Sequence, residues 1–252
     1  MIARLAVAFG LLVVSGTALA GLLGRVGDCL DALDVPCAEE ALEDLDAAHS
    51  NDPTVLYMAA QTHFYAGRYP EANDTLVAAI EAGWKDEAGE LALFERTLYV
   101  TAGWTEVRRG RYVIRYLPGV DAILVDGALE VLDKTDRRVG SLPGPAMTTP
   151  VLVELYPDGR SFIAASSLTE KEVHTTGTVA LSKWARLLVT SPRAMGRGYD
   201  WQDTISHEYI HQLVAHHTDD NTPVWLHESM ARYLDGRWRK PKLELDLSIR
   251  DQ

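Results

Sequence analysis

His207, Glu208 and His211 stand within the run TISHEYIHQLVAHH, from Thr204 to His217. On an α-helix, residues four apart lie about 40° apart around the axis and one turn along it. The imidazoles of His207 and His211 therefore leave one face as a pincer. Zinc takes neutral imidazole nitrogens at about 2 Å in a tetrahedron, so this pair fills two of its corners. Glu208 follows His207 by one residue and is turned too far round to make a third corner. It stands instead where it can touch a water on the metal. Zinc acidifies such a water, and a neighbouring carboxylate takes its proton. The inward side of the same helix is apolar at Ile205, Ile210, Leu213 and Val214, which predicts a buried element rather than histidines scattered on a surface.

A third ligand is expected from Glu228, in WLHESMARYL (Trp225–Leu234). The link from His217 to Thr222 is short, so the two helices must form a close hairpin. Glu228 then meets the pincer across the hairpin, and water takes the fourth, open position that a catalytic site keeps. His217 competes for the same role, because it lies ten residues after His207, where metzincins carry their third histidine. That pattern needs a glycine at the position held here by Val214, and valine does not readily take the positive φ that the turn demands. If the helix simply continues, His217 points about 120° away from His211. Glu228 is therefore assigned as the ligand, and His216, His217 and His227 as exposed or supporting residues.

H-E-x-x-H is the zincin motif. HEYIH followed by WLHESMA resembles the gluzincin metallopeptidases, whose pattern is H-E-x-x-H and then W-L-x-E-G-x-A. The stretch Gly177–Leu213 is similar to the peptidase-MA-like domain found behind tetratricopeptide repeats in bacterial exported proteins. The resemblance covers about residues 105–238 and is strongest over 177–234, with Ser229 where the family usually has glycine. It implies zinc held by His207, His211 and Glu228, with Glu208 as the general base of peptide hydrolysis. It also implies an edge strand, within Thr178–Thr190, that lies antiparallel to an extended peptide. Asp203, Asp219 and Asp235 are candidates to support a ligand histidine. Tyr199 and Tyr233 are candidates to steady an oxyanion.

The elements that must position these residues read as an α+β chain: an N-terminal helical region over residues 21–104, then a zincin-like domain over 105–252 with a small mixed sheet and an active-site helix hairpin. In the first part, Pro36–Ala48 and Pro70–Ala82 match at an offset of 34, the period of the tetratricopeptide repeat. Arg111–Leu117 and Val151–Pro157 read as strands, with one or two more across Thr178–Thr190. Asp121–Arg138 and Ser161–Glu172 have helical spacing. Asp200 is placed to cap the helix of the pincer, and Thr222 and Pro223 to open the next.

The 252 residues carry a net charge of −12, which argues against binding driven by nucleic-acid phosphates. Arg108, Arg109 and Arg111 and the cluster Arg237–Lys242 read as solvated surface. Residues 1–20 read as a bacterial-type signal peptide: Arg4, the apolar Leu5–Val14, then Ala18-Leu19-Ala20 as a cleavage pattern. The protein is thus expected in the periplasm or secreted, or else held at a membrane by residues 5–24 if the segment is not cut. Cys29 and Cys37 are expected to pair in such a compartment. The partner expected is a peptide or protein substrate, with a protein partner at the helical region. Two alternatives stand beside the zinc peptidase: a catalytically weak peptidase-like binding or scaffold module, and a helical-repeat adaptor with a fortuitous H-E-x-x-H.

Overall fold

In a computed structural model of the chain, residues 19–45, 49–139, 149–218 and 221–235 are described. Five helices come first: α1 (19–31), α2 (Val35–Glu43), α3 (Pro53–Tyr65), α4 (Tyr69–Glu81) and α5 (Glu90–Thr101). Their starts are written locally. The Asp34 carboxylate accepts from the Cys37 N–H, and that of Asp52 from Thr54 and Val55, with a proline in the first turn of each helix. The first residues of α2 and α4 are 34 apart, and the matched Ala38 and Ala72 are both buried. Between α3 and α4 the chain turns at Gly67 (φ +71°), where a Cβ would lie 2.5 Å from Leu152 Cδ2. Both the left-handed backbone and the close approach require glycine. Phe64, stacked on Phe94 at 4.1 Å, centres the helical core with Ala60, Tyr69, Ala72 and Leu76. Cys29 and Cys37 form a disulfide that ties α1 to α2.

The rest of the fold is one mixed sheet of five strands, in the order β1-β2-β3-β5-β4. These are β1 (Thr105–Arg109), β2 (Tyr112–Tyr116), β3 (Val151–Tyr156), β4 (Ala180–Lys183) and β5 (Arg186–Thr190). The three central strands are parallel, and both edges are antiparallel. One face, with Ile114, Val153, Leu155, Leu187 and Val189, packs against α6 (Val125–Val139) and α9 (Trp201–Thr218). On the other face Tyr156 and Leu188 meet α7 (Gly159–Ala165) through Phe162 and Ala165. Burial on both faces explains why β3 and β5 are buried at every position.

The helical region is joined to the sheet by a buried polar cluster. Glu154 of β3 accepts from Tyr156 (2.8 Å), from Arg186 of β5 (3.2 Å) and from Tyr69 of α4. The Arg186 guanidinium is fully buried and lies over the rings of Phe64, Tyr69 and Trp184 at 4.4, 5.2 and 5.2 Å.

Several elements differ from the sequence reading. Strand β1 was not expected: all five of its residues are exposed, so no alternation marks it. The expected helix over Ser161–Glu172 is two helices, α7 and α8 (Glu170–Thr176), and α8 is opened by a capping box between Thr169 and Glu172. The helix expected from Asp121 begins as a 3-10 turn, Val120–Leu124, before α6. Arg111 is not solvated surface: it is half-buried and paired with Asp136 at 2.7 Å. Residues 1–18, Asp219 and Arg237–Lys242 lie outside the described residues. Helix 19–31 straddles the expected cut after Ala20. Among the described residues, no helix is long and apolar enough to cross a membrane.

Candidate metal centre

The candidate centre sits on a helix hairpin made by α9 and α10 (Val224–Leu234). Helix α9 is fixed on its buried side. Ile205, Tyr209, Ile210, Leu213 and Val214 enter the core, and the Gln212 amide donates to the Ala185 carbonyl at 2.9 Å. The Tyr209 hydroxyl donates to Asp136. Gly127 of α6 lets Trp201 approach so closely that a Cβ there would lie 2.7 Å from the indole. Helix α10 begins at Val224, with Pro223 in the cap position and no side-chain cap, so Thr222 does not play the expected role.

His207 and His211 project together from α9, their Nε2 atoms 3.1 Å apart. The Glu228 carboxylate comes across from α10 to 3.7 Å from His207 Nε2 and 3.5 Å from His211 Nε2. One donor atom from each of the three lies within 4.8 Å of the others. Two donors held 2.0–2.1 Å from a common tetrahedral centre are about 3.3 Å apart, so the imidazole pair at 3.1 Å matches, and Glu228, with one oxygen toward each ring, needs a modest adjustment to join it. The donor set is also of the right chemical kind. Burial, with the charges of His207, His227 and Arg232, lowers the His211 pKa to about 3. The ring is then neutral at pH 7, as a ligand must be.

Supporting groups surround the three. The Asp235 carboxylate, at the C-terminal end of α10, lies 3.2 Å from His207 Nδ1. A carboxylate there holds the ring's orientation and directs Nε2 to the centre. Arg138 donates to the Asp235 carbonyl (2.9 Å) and to Ser206 Oγ (2.8 Å), which ties the hairpin's two helices to α6. His227 stacks on His211 at 4.9 Å between centroids, with Nδ1 atoms 2.6 Å apart. Of the three aspartates expected as supports, Asp235 makes this contact with a candidate ligand histidine.

Glu208 is beside the centre and not in the ligand triad. It lines the same cleft, and burial raises its pKa to about 7, against a hydrogen bond from the Ser182 backbone N–H and helped by the nearby Glu228 charge. Its carboxyl is thus poised to exchange a proton near neutral pH.

Helix α9 runs unbroken through Val214 to Thr218, and His217 is exposed on it, away from the three converging groups. Tyr233 is 70% exposed. The Tyr199 hydroxyl donates to the Thr190 carbonyl, and its pKa is raised by burial and by Glu208. Neither tyrosine is marked as an oxyanion donor by these contacts.

The three groups open into a cleft of about 750 Å³. One wall is the edge strand β4 with its flanks, Gly177–Trp184. The floor is α9, and the other wall is Thr222, Val224, His227 and Glu228. The edge strand lies where the sequence reading put it. Leu30 and Asp31, from the end of α1, and Leu33, from the turn that follows it, also line the cleft. Sequence reasoning missed this contribution, because nothing local to residues 30–33 records a partner so far along the chain. No protein-family model, curated protein or solved structure matches the chain.

Proposed function

We propose that this protein is a zinc-dependent peptidase of the gluzincin type, with His207, His211 and Glu228 as ligands and Glu208 as general base. The reading rests on one observation above others. Two imidazoles and a carboxylate from neighbouring helices converge at zinc-like separations, while a second carboxylate stands beside them. When bound, zinc supplies Lewis acidity, lowering the pKa of a coordinated water to about 7. Glu208 takes a proton from the attacking water and delivers it to the amide nitrogen as the carbon–nitrogen bond breaks. The β4 edge, beside Glu208 in the cleft, is available to pair with an extended substrate. Asp235 keeps His207 in its ligand orientation.

In this reading the domain is zincin-like and the preceding helices are tetratricopeptide-like, with a 34-residue offset between α2 and α4. The helices are also a surface for a protein partner. The protein works outside the cytoplasm, which the Cys29–Cys37 disulfide supports.

The test pairs metal analysis with a peptide assay. The purified protein is expected to hold about one zinc per chain. Glu208→Gln is expected to keep the metal and lower cleavage by 10²–10⁴-fold. A protein that takes up no zinc refutes the proposal. Zinc without cleavage favours the binding-module alternative.

A further inference from the structure

The cleft has one closed end, and we propose that this end receives the free N-terminus of a peptide, so that the centre releases short N-terminal fragments. This deepens the peptidase reading and rests on it.

Two placements fix the direction of the cleft. At one end Thr204 of α9 lines it with Gly177 and Thr178, which lead into β4, and farther along α9 the Gln212 amide donates to the Ala185 carbonyl, just past β4, at 2.9 Å. Both elements thus run the same way past the centre. The strand then stops. Trp184 and Ala185 both take φ 55° and turn the chain back into β5. Farther along α9, the His216 Nδ1–H donates to the Ala32 carbonyl at 3.0 Å, so the α1–α2 turn stands across that end. Leu33 of this turn, and Leu30 and Asp31 of the last turn of α1 before it, line the cleft together with Tyr65. The disulfide between Cys29 and Cys37 brackets the turn. At the opposite end the lining residues are Gly177, Thr178 and Thr204, and Gly177 is exposed.

The distance available is short. From the level midway between His207 and His211 to His216 is about 10 Å at 1.5 Å per helical residue. An extended peptide advances about 3.3 Å per residue, so about three residues fit before the turn blocks the way. The charge at the block selects the end of the peptide. Asp31 is exposed and is the charged member of the four residues there. Its carboxylate attracts an ammonium group and repels a C-terminal carboxylate. Lys183, also in the lining, is directed to Ser167 Oγ (2.9 Å) and over the Trp184 ring (4.8 Å). The step is a simple hydrolysis. The water oxygen bonds the carbonyl carbon of the short fragment, and the longer product leaves with a new amino group protonated through Glu208.

The experiment uses the full chain loaded with zinc and ten-residue peptides of one sequence, with the N-terminus free or acetylated. Products are read by mass spectrometry. The free peptide is expected to lose fragments of one to three residues, and acetylation to raise KM on the order of 5-fold, as for one exposed ion pair. Asp31→Asn is expected to remove that difference and to leave zinc content unchanged. Binding of free and acetylated tripeptides to Glu208→Gln gives a second readout without turnover. Equal cleavage of acetylated peptides at internal bonds overturns this inference while the peptidase reading stands. Asp31-dependent tripeptide binding without turnover upholds the amine site and overturns the peptidase reading. Neither turnover nor Asp31-dependent binding overturns both.

Discussion

Replacing Glu154 by leucine is expected to be among the most damaging single changes outside the candidate metal centre. The carboxylate is fully buried, and so is the guanidinium of Arg186 that it neutralises. Arg186 is already poorly satisfied, since its Nε and Nη2 find no hydrogen-bond partner and face aromatic rings instead. Glu154→Leu leaves that cation without a counter-ion, and Tyr69 and Tyr156 lose their acceptor. Breaking a buried pair from one side costs about 3–5 kcal/mol. That is a large part of the 5–15 kcal/mol of a typical domain. The double variant Glu154→Leu/Arg186→Met removes both charges, and apolar replacement of a buried pair is often near neutral. It should therefore recover most of the loss. Urea unfolding followed by tryptophan fluorescence measures both. A single variant that loses less than about 1 kcal/mol, or a double variant worse than the single, refutes the argument that an uncompensated charge drives the effect.

Other outcomes are expected at the site. Asp235→Asn should weaken zinc affinity by 10–100-fold, measured by competition with a chelator, because His207 loses the group that orients it. Glu228→Ala should lower the same affinity, whereas His217→Ala should leave it unchanged. In metal-free protein, Glu208 has a folded pKa near 7 against 4.5 for the free group. The folded state then binds the extra proton between those values, so wild-type stability falls as pH rises from about 4.5 to 7. Glu208→Gln should remove that slope and be more stable by about 1–3 kcal/mol at pH 8 and no different at pH 4. Thermal melts with a chelator at the two pH values decide it. Reducing the Cys29–Cys37 disulfide should cost about 2–3 kcal/mol, the loop-closure entropy of a ring this small, read by melts with and without a thiol.

The centre was more legible than its surroundings. The spacing of His207 and His211 is a property of any helix, and the short link to Glu228 leaves few ways to fold it back. Strands β3 and β5 could be read because each carries a run of Val and Leu, Val151–Val153 and Leu187–Val189. Strand β1 could not, because all five residues of Thr105–Arg109 are exposed and no alternation marks them. Glu154 in VLVELY reads as a solvent-facing position, yet both faces of β3 are covered, and Arg186 is 32 residues away. Pairings of that kind leave no local periodicity. Asp235 differs. It follows from the helix geometry once Glu228 is assigned, since the two share a face, but spacing alone could not rank it above Asp203 or Asp219.

The contact between His216 and Ala32 spans 184 positions. During synthesis the disulfide-bracketed turn is made well before the helix that it packs against. A nascent chain that has not yet reached Glu228 cannot bring that carboxylate to His207 and His211, and its cleft lacks a wall. On the proposed reading, activity therefore appears only after both helices of the hairpin have been made.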